Sequence, residues 1–257
     1  MSYLDAIILG IIQGLTEFLP ISSSGHLVLA QAIMGVKQPG VSFELLVHLG
    51  TFVSVLVYFR SRILRLVRAI FVREMRCERA TIKYLIIGSI PAAFVGILFR
   101  DFFERTFSNP FLTAAMLVVT GLILLAPKLV RSRAGEVSSR SAFVMGIGQA
   151  LAICAGISRS GSTIAFGMLS GVGPSPAAEF SFLLALPAIA GAVLLNADEL
   201  LRIESGLIGQ YLAGFFFAFL LGVAAIYAVM GVIRRGKFEY FAYYCFAAGG
   251  LGLYLFS

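Results

Sequence analysis

A chain of 257 residues that is 59% hydrophobic and only 13% charged, with a mean hydropathy of +0.95, has too few polar side chains to cover a water-soluble domain. Hydrophobic stretches recur along its whole length between short polar loops, so 1–257 reads as one integral membrane domain with no separate soluble part. The net charge of +7 does not point to nucleic acid, because the basic residues crowd into a few loops, as in loops retained in the cytoplasm.

Residues 1–10 contain Asp5 and no Lys or Arg. The basic region of a cleavable signal peptide is missing, and the N-terminus is expected to stay on the mature protein. The first apolar stretch, 4–35, is interrupted by Pro20-Ile-Ser-Ser-Ser-Gly25. Spans of crossing length fit 43–59, 84–99 and 111–130. A second interrupted stretch, 142–172, breaks at Gly156-Ile-Ser-Arg-Ser-Gly161. Three further spans fit 177–196, 207–233 and 238–256. The fold class is therefore all-α and polytopic, with about six full transmembrane helices and two helix–break–helix hairpins.

Fifteen of the twenty Lys and Arg fall in three segments: Arg60 to Lys83, Lys128 to Arg140, and Arg234 to Lys237. These are cytoplasmic by the positive-inside rule, which leaves 100–109 and 197–206 outside. The three cysteines, Cys77, Cys154 and Cys245, are far apart, and none falls in an outside loop, so neither a disulfide framework nor a thiolate metal site is expected.

The two interruptions align at an offset of 136. Gly10, Ile11, Gln13, Leu15, Ile21, Ser22, Ser24 and Gly25 match Gly146, Ile147, Gln149, Leu151, Ile157, Ser158, Ser160 and Gly161, eight identities in sixteen positions. A duplicated unit follows, with repeats at about 1–130 and 141–257. Each unit holds one hairpin and three spans. Three is odd, so the second copy enters the membrane from the opposite side, giving an inverted repeat with two re-entrant hairpins meeting near midplane. Two kinked full spans are the plainer alternative, but they disturb the loop-charge pattern unless each stretch crosses twice.

Ionisable groups inside a bilayer are costly and need a partner or a role. Glu17, His26 and Arg159 fall in or beside the breaks, where unwound backbone is tolerated only if it lines a polar cavity. Ser22, Ser23 and Ser24 in one break, and Ser158 and Ser160 in the other, stand where a helix resumes, so free backbone N–H groups face the gap. Such ends bind anions, and Gly25 and Gly161 let the backbone approach closely. Arg159 stands where the first repeat has Ser23 and would grip a phosphate through paired donors. Ser23 is a candidate nucleophile, and His26 could take its proton or attack in its place. Gln13 and Glu17 share a helix face and suit a divalent cation such as Mg2+, or Ca2+. Glu17 could instead orient His26 or pair with Arg159. Glu44 with His48, and Glu179, read as structural polar groups.

At this point the chain resembles a family. Gln13-Gly-Leu-Thr-Glu17-Phe-Leu-Pro-Ile-Ser-Ser-Ser-Gly-His26 and Gly156-Ile-Ser-Arg-Ser-Gly-Ser-Thr163 are similar to the two signature motifs of bacterial undecaprenyl-diphosphate phosphatases of the bacitracin-resistance type. The resemblance runs to the end of the chain and includes Glu179-Phe-Ser-Phe-Leu-Leu184. It implies a divalent-metal hydrolase that converts undecaprenyl diphosphate to the monophosphate at the outer face of the plasma membrane, recycling the carrier for peptidoglycan synthesis. It carries over Glu17, Ser23, His26 and Arg159 as catalytic residues and Thr163 among the phosphate-binding ones. Gln13 stands where the family accepts Glu or Gln, so one metal-binding carboxylate is fewer. The implied partners are a polyprenyl diphosphate and membrane lipids, without nucleic acid; homo-oligomerisation stays open.

The rival is a lipid-carrier flippase or secondary transporter using the same anion site, since inverted repeats and broken helices also build transporters. Binding alone needs only the clamp, whereas Ser23, His26 and Arg159 add a nucleophile and a base. Type 2 phosphatidic acid phosphatases also use a Ser-Gly-His element, but the histidine they require after the arginine is missing beyond Arg159.

The loop assignment predicts that a cysteine at Ser108 reacts with an impermeant thiol reagent in intact cells while one at Ser132 is protected. The reverse labelling pattern would overturn the topology.

Overall fold

The computed structural model describes residues 1–36, 41–98, 109–130, 134–201 and 203–257. Twelve helices are found there: α1 (Tyr3–Phe18), α2 (Ser23–Met34), α3 (Val41–Tyr58), α4 (Arg60–Phe71), α5 (Arg76–Leu98), α6 (Pro110–Leu125), α7 (Ser139–Leu151), α8 (Arg159–Leu169), α9 (Pro174–Leu195), α10 (Ala197–Leu201), α11 (Ile208–Arg234) and α12 (Tyr240–Leu255). Short 3-10 turns follow α6 and precede α11. Extended pairing among the described residues is limited to one isolated bridge, Gly135 to Val172.

Four segments are long and apolar enough to cross a bilayer alone: Arg76–Leu98, Pro110–Leu129, Pro174–Leu195 and Ser205–Arg234. A fifth arises if α3 and α4, bent by 81° at their junction, count as one span. The protein is thus an all-helical polytopic membrane protein. The sequence expectation of about six full spans is met only in part, because α12 has 16 residues, short of the ~20 needed for a perpendicular crossing.

The segment 60–83, expected as a basic loop, is mostly helical. Leu66 and Ala69 are buried three residues apart, which gives α4 one inward stripe, while Arg60, Arg65 and Arg68 stay on the exposed side. That spacing is a helical period, and arginine is a good helix former, so basic charge and helix are compatible here. α5 likewise begins at Arg76, eight residues before the predicted span. Most of the expected outside loop 100–109, together with Arg131, Arg133 and Arg202, lies outside the described residues.

Several helices approach one another closely at glycine. A β-carbon on Gly10 of α1 would lie 2.4 Å from the carbonyl oxygen of Gly214 in α11, and one on Gly146 of α7 would lie 2.3 Å from that of Gly88 in α5. Apolar burial drives helix association weakly inside lipid, so such close backbone contact is a principal source of packing energy there. The main core adjoins the two breaks: Phe18 and Ile21 from the first, Ile164 from the second, and Phe182 and Leu184 of α9 pack in one cluster. Phe18 meets Phe182 edge to face at 5.5 Å between centroids.

Gly10→Leu and Gly146→Leu are each expected to destabilise the fold by about 1–3 kcal/mol or more through overpacking. Gly191→Ala, with nothing within 4 Å of its added carbon, should be neutral. Thermal unfolding in detergent measures all three.

Candidate active site

Two local devices stop the paired helices. After α1, Pro20 cannot supply an N–H and pushes Leu19 into an extended conformation (φ −65°, ψ 140°), as a residue before proline prefers. After α7, Gly156 turns the chain with φ +93°, close against the Thr113 carbonyl of α6. Thr120 of α6 secures this second break by donating to the Gly156 oxygen at 2.8 Å and accepting from the Ser158 N–H at 3.0 Å. The breaks also hold one another, because Ser160 Oγ donates to the Leu19 carbonyl at 3.1 Å.

Both chains then resume as helices with serine caps. Ser22 Oγ accepts from the Gly25 N–H at 3.2 Å, and Ser158 Oγ accepts from the Gly161 N–H at 3.1 Å. Ser22 reaches this position with φ +69°, the one described non-glycine residue with positive φ. A left-handed serine costs of order 1–3 kcal/mol, and such strain persists where surrounding contacts enforce it.

Glu17, at the end of α1, ties the site together. It is 7% exposed. Its Oε1 accepts from Arg159 Nη2 in a short charge-assisted bond, while Oε2 accepts from Ser23 Oγ at 2.6 Å and from Gln13 Nε2 at 2.9 Å. Arg159 Nη1 is buried with no hydrogen-bond partner, and so is Gln13 Oε1. A cavity of about 350 Å3 opens here, lined by Glu17, Ser22, Ser23, Ser24, Ser158 and Arg159, by Glu44 and His48 of α3, and by apolar side chains that include Leu27, Ile153, Ile157 and Ile189. The N-terminal ends of α2 and α8 therefore share one cavity. The first N–H groups of a helix lack intrahelical acceptors and carry partial positive charge, so the cavity favours an anion beside a guanidinium.

Not every residue read from the sequence reaches this cavity. His26 was expected beside Ser23 as its base. Its Nδ1 instead donates to the Ser22 carbonyl at 2.7 Å, which leaves Nε2 to accept from the Tyr244 hydroxyl at 2.8 Å, on the far side of the cap. Thr163 Oγ1 donates to backbone carbonyls of its own helix, Arg159 at 2.8 Å and Ser160 at 3.1 Å, and meets the Ser181 hydroxyl. Gly25 and Gly161 serve helix packing: added β-carbons there would meet Gly156 Cα at 3.1 Å and Leu124 Cδ2 at 3.0 Å. Gln13 supports Glu17 from behind the cavity wall.

His48, read from the sequence as a structural partner of Glu44, lines the cavity. Its Nδ1 donates to the Glu44 main-chain carbonyl at 2.7 Å, and its Nε2 stands 3.8 Å from Glu17 Oε2. The signal was present in its place, with Glu44, inside a largely apolar helix of 18 residues, where ionisable groups are costly. Glu44 also lines the cavity and lies 3.5 Å from Gln31 Nε2. Glu179 is remote from this cluster and pairs with Arg62 of α4 at 3.2 Å, a structural role.

Fold and cavity together place two helix N-termini and an arginine around one candidate anion site in a helical polytopic membrane protein. The chain belongs to the bacitracin resistance protein BacA family, which matches residues 6–251. It is 46% identical over 257 residues to the undecaprenyl-diphosphatase of Syntrophotalea carbinolica, covering 98% of each chain. It is 41% identical to that of Salinibacter ruber, over 99% of this chain and 100% of the relative. The match to the undecaprenyl-diphosphatase of Methanococcus vannielii is 38%, over 95% and 97% of the two chains.

Arg159→Lys keeps the charge but loses the planar fork that can hold Glu17 through one nitrogen and present the other to a ligand. The variant is expected to lose ~10²-fold or more in phosphate release from undecaprenyl diphosphate. Near-normal turnover would reduce Arg159 to a counter-ion of Glu17.

Proposed function

We propose that this protein hydrolyses undecaprenyl diphosphate to undecaprenyl phosphate and inorganic phosphate. It would thereby recycle the lipid carrier for peptidoglycan synthesis at the outer face of the bacterial plasma membrane and confer bacitracin resistance. Family membership and the relatives' activity support the reaction. The observation that carries the mechanism is the 2.6 Å bond from Ser23 Oγ to Glu17 Oε2, made by the same carboxylate that holds Arg159.

In this mechanism the terminal phosphate enters the cavity between the N-termini of α2 and α8, and the unpartnered Arg159 Nη1 takes up one of its oxygens. Glu17 accepts the Ser23 hydroxyl proton as Oγ bonds to the terminal phosphorus. The bridging P–O bond breaks, and the leaving oxygen takes that proton from Glu17. Water then attacks the phosphoserine with Glu17 again as base, and Ser23 Oγ recovers the proton as phosphate departs. A weak alcohol nucleophile needs such a base, and a carboxylate already hydrogen-bonded to it meets the geometric requirement. His26 acts indirectly, holding the Ser22 carbonyl and thus the strained cap. Ser160, Gly161, Gly25 and Thr163 shape the two helix starts rather than touch phosphate.

A divalent cation, Mg2+ or Ca2+, fits this donor set. Glu17, the carboxylate that lines the cavity beside the serines, would hold it with substrate oxygens and water as the remaining ligands, as Mg2+ accepts readily, while Gln13, buried behind the cavity wall, would orient Glu17. When bound, the cation supplies charge neutralisation on the diphosphate.

The inverted repeat belongs to the same reading and draws support from matched landmarks. Ser2 and Ser138 each cap a helix in a capping box with the residue three later, Asp5 and Ser141. Ser22 and Ser158 cap the next helices, and all three pairs keep the offset of 136. The helices of each hairpin, of 16 and 12 residues and of 13 and 11, are short for a crossing and suit two re-entrant hairpins. The equivalent glycines Gly10 and Gly146 each press a span from the other repeat. A flippase sharing the anion site has no use for a serine hydroxyl seated on a carboxylate.

Ser23→Ala is expected to lower turnover by ~10³-fold or more with fold and lipid binding intact. Acid quench of a reaction with labelled diphosphate should yield phosphoserine at Ser23. Phosphohistidine at His26, or substantial activity of Ser23→Ala, would transfer the nucleophile elsewhere. Absence of any phospho-enzyme in rapid-quench experiments would favour direct attack by water.

A further inference from the structure

A second cavity adjoins the catalytic one. It measures about 510 Å3 and runs between α5 and α7 up to the second break, with Ile90 and Phe94 on one side, Phe143, Ile147 and Leu151 on the other, and Ile157 at its inner end. Its remaining lining is proline, valine, alanine and cysteine, with no charged group and no hydroxyl. Ile157 lines both cavities. Ile153 lines the catalytic one, and a β-carbon on Gly96 of α5 would meet its Cδ1 at 3.5 Å. Ile157 is thus the side chain common to the two spaces, and Ile153, on the catalytic side, lies next to α5 at Gly96. Several groove residues are strongly exposed, Phe94 at 65% and Ile90 at 53%, whereas Ala150 and Ile157 are buried, so the groove is open at the surface and closes toward the second break.

A substrate with a charged head and a long hydrocarbon chain imposes a constraint that the polar cavity alone does not meet. The head must leave the interface while the chain stays in apolar surroundings, because stranding a methylene in water costs about 0.8 kcal/mol. We infer that the groove between α5 and α7 is the binding subsite for the first isoprene units of the substrate chain, joined to the phosphate site past Ile153 and Ile157. This rests on the catalytic reading of the cavity and adds the path of the tail. A pocket of this volume takes a ligand of drug size, so it accommodates a few isoprene units and leaves the rest of the chain in the bilayer. The protein therefore senses the head-proximal segment of the chain and is indifferent to its far end.

The test uses purified full-length protein and isopentenyl, farnesyl and undecaprenyl diphosphates. kcat/KM is expected to rise steeply from isopentenyl to farnesyl and then change little. Ile147→Trp, which fills the groove, should lower kcat/KM for farnesyl and undecaprenyl diphosphate about tenfold while changing the isopentenyl value less than twofold. Phe94→Trp fills the groove from α5 and replaces it should the first variant fail to fold; Leu212→Trp, on the lipid-facing side of α11, is the control. In parallel, farnesyl diphosphate with a diazirine at its chain end should label residues 90–95 and 143–157. Labelling at Leu27 and Leu45, which line the catalytic cavity but not the groove, no labelling at all, or an unaltered chain-length profile in the filled variants would overturn the inference. Failure of the catalytic reading looks different: Ser23→Ala would stay active while the label remained in the groove.

Discussion

The contact on which the rest of the structure depends is the buried pair of Glu17 and Arg159. Each ion would be expensive to bury alone, and breaking such a pair typically costs 3–5 kcal/mol because one charge is left uncompensated. The pair joins residues 142 positions apart, so it fixes the two helix breaks to each other. Ser160 on the Leu19 carbonyl and Thr120 on Gly156 refine that register, but they are neutral bonds worth roughly 1 kcal/mol each. Charge neutrality also leaves the cavity able to receive an anion: Glu17 uses one arm of the guanidinium and leaves the other unsatisfied.

The arrangement separates two tasks that soluble phosphatases often assign to one loop. In the proposed mechanism, helix starts and the arginine receive negative charge, and the serine hydrogen-bonded to the carboxylate supplies the nucleophile. Among the described residues, Ser22 is the one non-glycine residue with positive φ; its hydroxyl caps Gly25 while the Ser23 hydroxyl donates to Glu17. Its counterpart Ser158 has an ordinary φ of −72°, so the repeated motif is distorted in the copy that carries the serine and relaxed in the copy that carries the arginine.

Much of this was legible in the sequence. The two breaks announced themselves through Pro20, Gly156 and the serine clusters, and Arg159 in place of Ser23 pointed to unequal roles within similar motifs. The helix period of α4 was hidden because a dense run of arginines reads as a loop when charge alone is weighed. His26 was misplaced for a geometric reason. Three positions along a helix bring it to the same side as Ser23, yet the left-handed Ser22 turns the Ser23 hydroxyl toward α1 while the imidazole is captured by Ser22's own carbonyl. The contribution of His48 depended on which face of α3 meets the breaks, and no spacing rule within one helix decides that.

The interlocking of early and late helices bears on how the chain is made. α1 presses on α11, and Glu17 waits for an arginine that is 142 residues further along. At a synthesis rate of about 5–20 residues per second, that gap lasts roughly 7–30 s. Through this interval α1 carries a carboxyl group without its arginine and a glycine face without its partner helix. A lone carboxyl group in apolar surroundings is neutralised by a proton instead of staying charged, so the ion pair forms only once α8 has been made, and the Gly10 face is filled later still by α11.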